Sequence, residues 1–435
     1  MKENQFDFKI RIKQSLDALH MFQKSEHILE LLALAAYVSF VDIEFAQSIE
    51  KLSKAKVKEE LQKFLCLSDL KFANYLLSAK IEDVEFSIII RAFIEAFSAY
   101  DNAEDYGKAL AQQLPKLWAD EFYYEIFTSN ENLTNLVSAI IGDQPVQRFY
   151  DGASGIGLIA SQLNADEYYL RDVNQLPIAI AEVIFKLAGK KLNCQLQDSL
   201  TENELSNEVD LVVTTPPFGA RINPNAMKNT PYLRQLFKAM PTNASDSAWI
   251  QQALYQLNDT GKAFIQIPSG WLFRGGYDLA LRTELLENDW IDTIVLLPNG
   301  FMQHSKIETV LLVLNKGEKK HNGIKFIDIS KFVKRSALRS IIPQEVVEHI
   351  AAVFHGQDDH DICKIVTIDE IRSNDMNLSF NKYFINEIQI KKLDLAQEKV
   401  QLEKLEEEYV RAQVKLKKLL EQCMNRTGFV GDIFI

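Results

Sequence analysis

Cysteine is scarce. The 435 residues contain four, Cys66, Cys194, Cys363 and Cys423, and no two stand at the spacing of a metal site or a redox pair. A disulfide-stapled scaffold is therefore excluded, no metal centre is expected, and reduced thiols in a cytosolic protein are the natural reading. Long apolar runs are missing too. The longest, near residues 28–40 and 86–97, are too short or too broken by charge to span a bilayer. The first residues include Lys2, Glu3, Asp7 and Lys9, with none of the apolar core of a signal peptide. A cytoplasmic protein without a membrane partner is the expectation. Positive charge is in deficit: 48 Lys and Arg face 60 Asp and Glu, a net charge of −12, which argues against a chain that grips nucleic acid over its whole surface. One local exception carries Lys316, Lys319, Lys320, Lys325, Lys331, Lys334, Arg335 and Arg339 against only Glu318 and Asp328. Its simplest reading is a solvated surface segment.

What is present is ordinary for a globular protein: 47% hydrophobic and 25% charged residues, with length for two or three domains. Glycine and proline are absent before Gly107 and Pro115, and apolar residues recur at helical spacing, as in Ile28, Leu31, Leu32 and Ala35. Residues 1–120 are thus expected to form a helical domain, a packing or docking module with no catalytic constellation. From about 121 to 385 the pattern changes. Short β-rich runs at 146–150, 168–170, 209–214, 263–267, 291–297 and 310–314 alternate with helical stretches such as 176–188 and 247–257. That alternation predicts α/β architecture with a mostly parallel sheet covered on both faces. The tail, 386–435, differs again. Ile388, Leu395, Leu402, Tyr409 and Leu416 recur every seven residues, and Leu405, Ala412 and Leu419 fill the second seam position. This predicts a long coiled-coil helix, packed on its own domain or paired with a partner chain.

The chemistry-bearing residues cluster at predicted strand ends. The first strand runs into Asp151-Gly152-Ala153-Ser154-Gly155-Ile156-Gly157, followed by a helical segment. A carboxylate at a strand end, a glycine turn and a helix N-terminus are how α/β folds hold a nucleotide-like cofactor. Gly155 and Gly157 let the backbone approach a ligand without a Cβ in the way. The next strand ends at Asp172, where an acid can bind a ribose diol. A third strand ends at Asp198, and the fourth at Thr215-Pro216-Pro217-Phe218. Four strand ends converge on one crevice.

This series resembles the N6-adenine DNA methyltransferases, and more closely the modification subunit of type I restriction–modification systems. Phe127-Thr128-Ser129 resembles the family's cofactor-side segment. The stretches 267–273, 296–301, 314–317 and Asn377-Leu378-Ser379 follow as in the family, as do the helical N-terminal region and the terminal helix. The resemblance implies a Rossmann-like methyltransferase sheet with S-adenosylmethionine held by Phe127, Thr128, Asp151, Ser154, Gly155, Gly157, Asp172 and Asp198. It implies adenine methylation by Thr215, Pro216, Pro217 and Phe218. The lone pair of adenine N6 is delocalised into the ring, and two acceptors on the amino hydrogens favour a geometry in which it can attack. Pro216 offers a fixed backbone carbonyl, and Phe218 fits stacking on a base that has left the duplex. The implied partners are DNA, a specificity subunit engaged through the coiled tail, and a restriction subunit. Between Lys316 and the tail too little chain remains for a target-recognition domain of about 100 residues.

Two departures from the family pattern matter, one in the glycine turn and one at Thr215. Gly152 and Ser154 alter the glycine turn while keeping both later glycines. Thr215 stands where the family has Asn, Asp or Ser. Its hydroxyl is an acceptor, as serine's is, but its reach is shorter than an amide's and its β-branch restricts the rotamer. The alternatives are a catalytically impaired homologue acting in cofactor binding, assembly or DNA sensing, and a methylase directed at protein or RNA.

Overall fold

Nine strands form a single sheet in the order β3-β2-β1-β4-β5-β7-β6-β8-β9. The computed structural model describes residues 28–78, 83–121, 130–202, 208–227, 230–232, 240–299, 301, 307–319, 321–333, 342–384 and 395–427. The chain divides into two compact units, Met1–Tyr383 and Phe384–Ile435.

The first unit opens with helices α1 (Ile28–Val41), α2 (Ile43–Glu50), α3 (Lys54–Cys66), α4 (Ala73–Leu77), α5 (Asp83–Phe97) and α6 (Ala103–Glu121). Helix α1 is apolar nearly all round, and residues Leu29 to Ser39 are all buried, as a central helix requires. The mid-helix Gly107 has a packing reason. A Cβ there would lie 2.4 Å from the Phe40 ring and 2.5 Å from the Leu187 carbonyl oxygen, so only glycine lets α6 close on its neighbours.

Helix α7 (Glu131–Ile141) leads into the sheet: β1 (Val146–Asp151), α8 (Leu158–Gln162), β2 (Ala165–Asp172), α9 (Gln175–Leu187), β3 (Leu192–Leu196) and β4 (Val209–Thr214). Then follow α10 (Ser245–Gln256), β5 (Leu257–Pro268), α11 (Tyr277–Glu287), β6 (Ile291–Leu297), β7 (Thr309–Asn315), β8 (Ile324–Asp328), α12 (Gln344–Phe354), β9 (Cys363–Val366) and α13 (Ile368–Ser373). Strands β1 to β5 are mutually parallel; β7 runs antiparallel to β5 and β6, and β9 antiparallel to β8. Every residue of β7 is buried, which explains its unbroken apolar run Val310–Leu314 inside a sheet covered on both faces. At the edge, β3 is only partly buried.

The helical region and the sheet share one hydrophobic core reaching from Leu29 to Ile362. A polar latch joins them as well. The buried Glu182 of α9 accepts hydrogen bonds from the amides of Lys71 (2.6 Å) and Phe72 (2.9 Å), at the start of α4.

The basic stretch differs from the solvated segment expected of it. It contains β8, and its described lysines are already engaged. Lys316 donates to the Leu257 carbonyl and Lys325 to that of Phe354, Lys319 pairs with Asp289, and Lys331 lies within 3.7 Å of Asp361. Long aliphatic stems let these lysines lie along apolar surface with the ammonium group on a nearby acceptor. Strand β5 is also longer than expected and starts directly after α10. At Gly261, a Cβ would sit 2.8 Å from the Val209 carbonyl oxygen, so glycine lets the two strands meet closely there.

The second unit contains α14 (Leu395–Thr427), a helix of 33 residues. Its seam residues Leu402, Leu405, Tyr409, Leu416 and Leu419 are all at least half exposed. Ile388 lies outside the described residues. Among the described residues, no helix is long and apolar enough to cross a membrane.

Candidate active site

The strand order reverses between β1 and β4, which makes the carboxyl ends of these two strands the switch point at which open α/β sheets bind ligands. Register places the chemistry there. Tyr150 pairs with Val212, so Asp151 ends β1 close to the end of β4, and Thr215 follows one residue after that end. Asp151 pairs with Leu170, so Asp172 stands two residues further along β2. Asp172 pairs with Leu196, so Asp198 stands two residues further along the β3 side. Asp151, Asp172, Asp198 and Thr215 thus share one edge of the sheet.

The turn after β1 is built from backbone hydrogen bonds. The Ser154 amide donates to the Arg171 carbonyl (2.9 Å), the Gly157 amide to the Ser154 carbonyl (2.8 Å), and the Gly155 amide to Asp172 Oδ2 (2.8 Å). Gly155 and Gly157 both adopt positive φ, 52° and 71°, which a side chain would oppose. At Gly157 a Cβ would also press on Leu170 (2.9 Å) and Phe185 (3.0 Å). Ser154 is buried within the turn.

Gly152, a departure at the level of sequence, has a tertiary explanation. Its Cβ would lie 3.2 Å from both Ser199 and the Trp249 ring, while its carbonyl accepts from Ser199 Oγ at 2.8 Å. Trp249 sits on α10, which also donates from Gln252 to the Tyr150 hydroxyl (2.8 Å). Helix α10 therefore supports the turn from below. Nothing in the local pattern around Trp249 signalled this, because the contact spans about a hundred residues.

Both acids of the turn are buried. Burial pushes the Asp151 carboxyl up to about 7, against the hydrogen bond from the Ala153 amide, and the neighbouring Asp172 carboxylate pushes the same way. Burial also raises Asp172, while amide donors at Asn174 and Gly155 oppose the shift. Two desolvated acids side by side favour the arrival of a cationic or hydroxyl-bearing ligand. Val173, 63% exposed, and Leu196, 46% exposed, offer apolar surface beside them. An apolar residue directly after a strand-end acid, Asp172-Val173, is the signal that could have marked this shelf in the sequence. Asp198 is partly exposed and accepts from the Leu200 amide.

In the loop after β4, Pro216 is buried, Pro217 exposed, and Thr215 and Phe218 partly exposed. Phe127 and Thr128 lie outside the described residues, which resume at Asn130. Asn130 caps α7 and, with Asn132, donates to the Phe301 carbonyl, at 2.9 and 3.2 Å. The segment after β6 is thereby pinned to the start of α7. Among the described residues no cluster of His, Cys, Asp or Glu could hold a metal ion.

A parallel sheet reversing at β1 and β4, with a glycine turn and two buried acids at that point, defines a Rossmann-like domain of the methyltransferase type. The family model for N-6 DNA methylases matches residues 124–392, and the chain belongs to that family. The type I restriction enzyme MjaVIII methylase subunit of Methanocaldococcus jannaschii is 31% identical over 286 residues, covering 63% of this chain and 49% of the relative. The type I restriction enzyme MpnII methylase subunit of Mycoplasma pneumoniae is 25% identical over 297 residues, covering 62% of this chain and 55% of that relative. The chain spans about half the length of these relatives. The crystal structure of a type I restriction-modification system methyltransferase subunit from Streptococcus thermophilus superposes with a TM-score of 0.66 at 18% identity, covering 87% of this chain and 99% of that one. The shared fold is the sheet of S-adenosylmethionine-dependent methyltransferases.

Proposed function

We propose that this chain transfers the methyl group of S-adenosylmethionine to N6 of adenine in DNA, as the modification subunit of a type I restriction–modification complex. The observation that carries this reading is the position of Thr215-Pro216-Pro217-Phe218 at the switch point, beside the buried pair Asp151 and Asp172.

The residues at the first three strand ends suit the cofactor. Asp172 accepts from the amides of Gly155 and Asn174, and its carboxylate would receive the two hydroxyls of a ribose. Val173 and Leu196 would face the adenine ring, and Asp198 its polar edge. Gly155 would let the turn approach the ligand, Gly157 lets it pack on Leu170 and Phe185, Ser154 lies buried within it, and Asp151 would meet the cationic end of the ligand. Phe127 and Thr128 would border the same ligand from the segment before Asn130. When bound, the cofactor supplies a methyl group on a sulfonium centre.

At the fourth strand end, the Thr215 hydroxyl and the Pro216 carbonyl would accept the two hydrogens of the adenine amino group. Phe218 would stack on the base once it has left the duplex. The exposed seam of α14 supports docking to a specificity subunit that carries the target-recognition domains, with a restriction subunit joining the complex. This assembly would operate in the cytoplasm.

The test is transfer of labelled methyl groups to unmodified DNA by the chain assembled with its specificity subunit, wild type against Phe218→Ala. Incorporation that Phe218→Ala abolishes is expected. Cofactor binding without incorporation, converted to methylation by Thr215→Asn, would instead identify an impaired homologue.

A further inference from the structure

Phe273 is an exposed aromatic on a loop that is otherwise fastened down at almost every residue. The loop, residues 269–276, follows β5. Its Ser269 amide donates to the Glu308 carbonyl at 3.0 Å, and Gly270 accepts from the amides of both Phe273 and Arg274. Trp271 is fully buried and Leu272 is 2% exposed, whereas Phe273 is 57% exposed. The indole Nε1 of Trp271 donates to Ser247 Oγ at 3.0 Å, and the Leu272 carbonyl accepts from the Leu378 amide at 3.0 Å. Beyond Phe273, the Arg274 guanidinium pairs with Asp246 and, at 2.8 Å, with Asp278. Ser247 closes the brace by donating to Asp278 at 2.6 Å. The buried Arg282 donates to the carbonyls of Trp271, Arg274 and Met376.

The loop also stands in a particular place. Thr214 pairs with Ile265, so β5 continues three residues past the level at which β4 ends. At about 3.3 Å per residue, the loop rises about 10 Å beyond that level on the strand next to Phe218. It therefore rises from the strand next to the one that leads into the loop proposed to receive adenine.

The charges and the neighbours decide what such a ring could meet. Arg274, the one cation among residues 269–276, faces two carboxylates, so the loop itself offers no unpaired cation for a phosphate. Gly270, Gly275 and Gly276 lie within three residues of Phe273 in the chain, and a Cβ at each would meet nothing within 4 Å. Within residues 269–276 Phe273 is the one large apolar side chain that is exposed, so the loop itself lacks the apolar cluster at the centre of a protein interface. It suits a single flat π surface.

We propose that Phe273 contacts a nucleobase of the DNA, stacking on a base next to the adenine received by Phe218. The Asp246–Arg274–Asp278 brace holds it in position. This rests on the proposed methylation of DNA and extends it by one substrate-contacting residue.

The experiment measures steady-state methyl transfer to unmodified DNA by the full chain in complex with its specificity subunit, comparing wild type, Phe273→Ala and Phe273→Tyr. Loss of a stacked base is expected to raise the KM for DNA roughly 5- to 100-fold in Phe273→Ala. Phe273→Tyr should restore it, and calorimetric binding of S-adenosylmethionine should be the same in all three. Unchanged DNA kinetics in Phe273→Ala, with an active wild type, overturns this proposal alone. Failure of Phe273→Ala to associate with the specificity subunit overturns it as well, since the ring would then face protein. A wild-type complex that binds cofactor and methylates no DNA overturns the underlying reading together with it.

Discussion

The amide of Gly155 donates to Oδ2 of Asp172 at 2.8 Å, which ties the turn after β1 to the end of β2. One carboxylate thus shapes the glycine turn and also faces the crevice that the turn borders. The second oxygen does the same for the start of α9, by accepting from the Asn174 amide. The proposed cofactor site and the conformation of the turn are coupled through this side chain.

Asp172→Ala is accordingly expected to lower both properties. Two amide donors lose a charged acceptor, at about 1.5–3 kcal/mol for each such bond. Calorimetry should show S-adenosylmethionine binding weakened at least roughly 10-fold, and urea unfolding a reduced midpoint. Reduced stability with unchanged affinity would confine Asp172 to a bracing role.

Asp151 predicts a pH dependence. Its carboxyl is raised from an ordinary 3.8 to about 7 by burial, so the fold favours the protonated form. The stabilisation from that preference is complete below about pH 4 and is lost as pH rises towards 7. Asp172 is shifted the same way and acts in the same direction. Asp151→Asn should therefore gain stability relative to wild type between pH 4 and 7 in cofactor-free protein, measured by urea midpoints across that range. Parallel profiles for the two proteins would contradict it.

Arg282 is 1% exposed and donates to three backbone carbonyls around the loop after β5. Arg282→Met keeps the volume and removes every donor. It is expected to destabilise the protein by about 2–4 kcal/mol in urea titrations, because buried acceptors are left unsatisfied. Methyl transfer to DNA should fall further than cofactor binding does. A variant as stable as wild type would show that water replaces the guanidinium.

The exposed seam of α14 makes a separable prediction. Leu405→Lys combined with Tyr409→Lys places two charges in the stripe, at positions 56% and 64% exposed in this chain. Co-purification with the specificity subunit should be lost, while the melting temperature and cofactor affinity of the isolated chain stay at wild-type values. Retained association would place the docking surface elsewhere.

Much of the site was legible in one dimension. Acids at strand ends, glycines with positive φ and a Pro-Pro-aromatic loop are local features, and each follows directly from short-range sterics and backbone geometry. Gly152 shows the limit: as a sequence feature it is only an anomaly, and the nearby Trp249 ring and Ser199 give it a reason. The lysines between 316 and 331 show it again. Charge counting reads a solvated stretch, whereas a lysine stem can run along an apolar surface to reach a carbonyl, as Lys325 does at Phe354. Phe273 carried no sign of its own, because its meaning depends on how firmly its neighbours are held.

The order of secondary-structure elements, the acids and glycines of the turn after β1, the Pro-Pro-aromatic loop and the heptad seam were determined by the sequence itself, since each depends on residues a few positions apart. The tertiary structure decided the remainder. It brought β4 beside β1, placed α10 beneath Gly152, merged the helical region and the sheet into one core, and set the loop carrying Phe273 on the strand next to β4. Those arrangements rest on burial and hydrogen bonds between segments tens to hundreds of residues apart, and only the folded chain can satisfy them together.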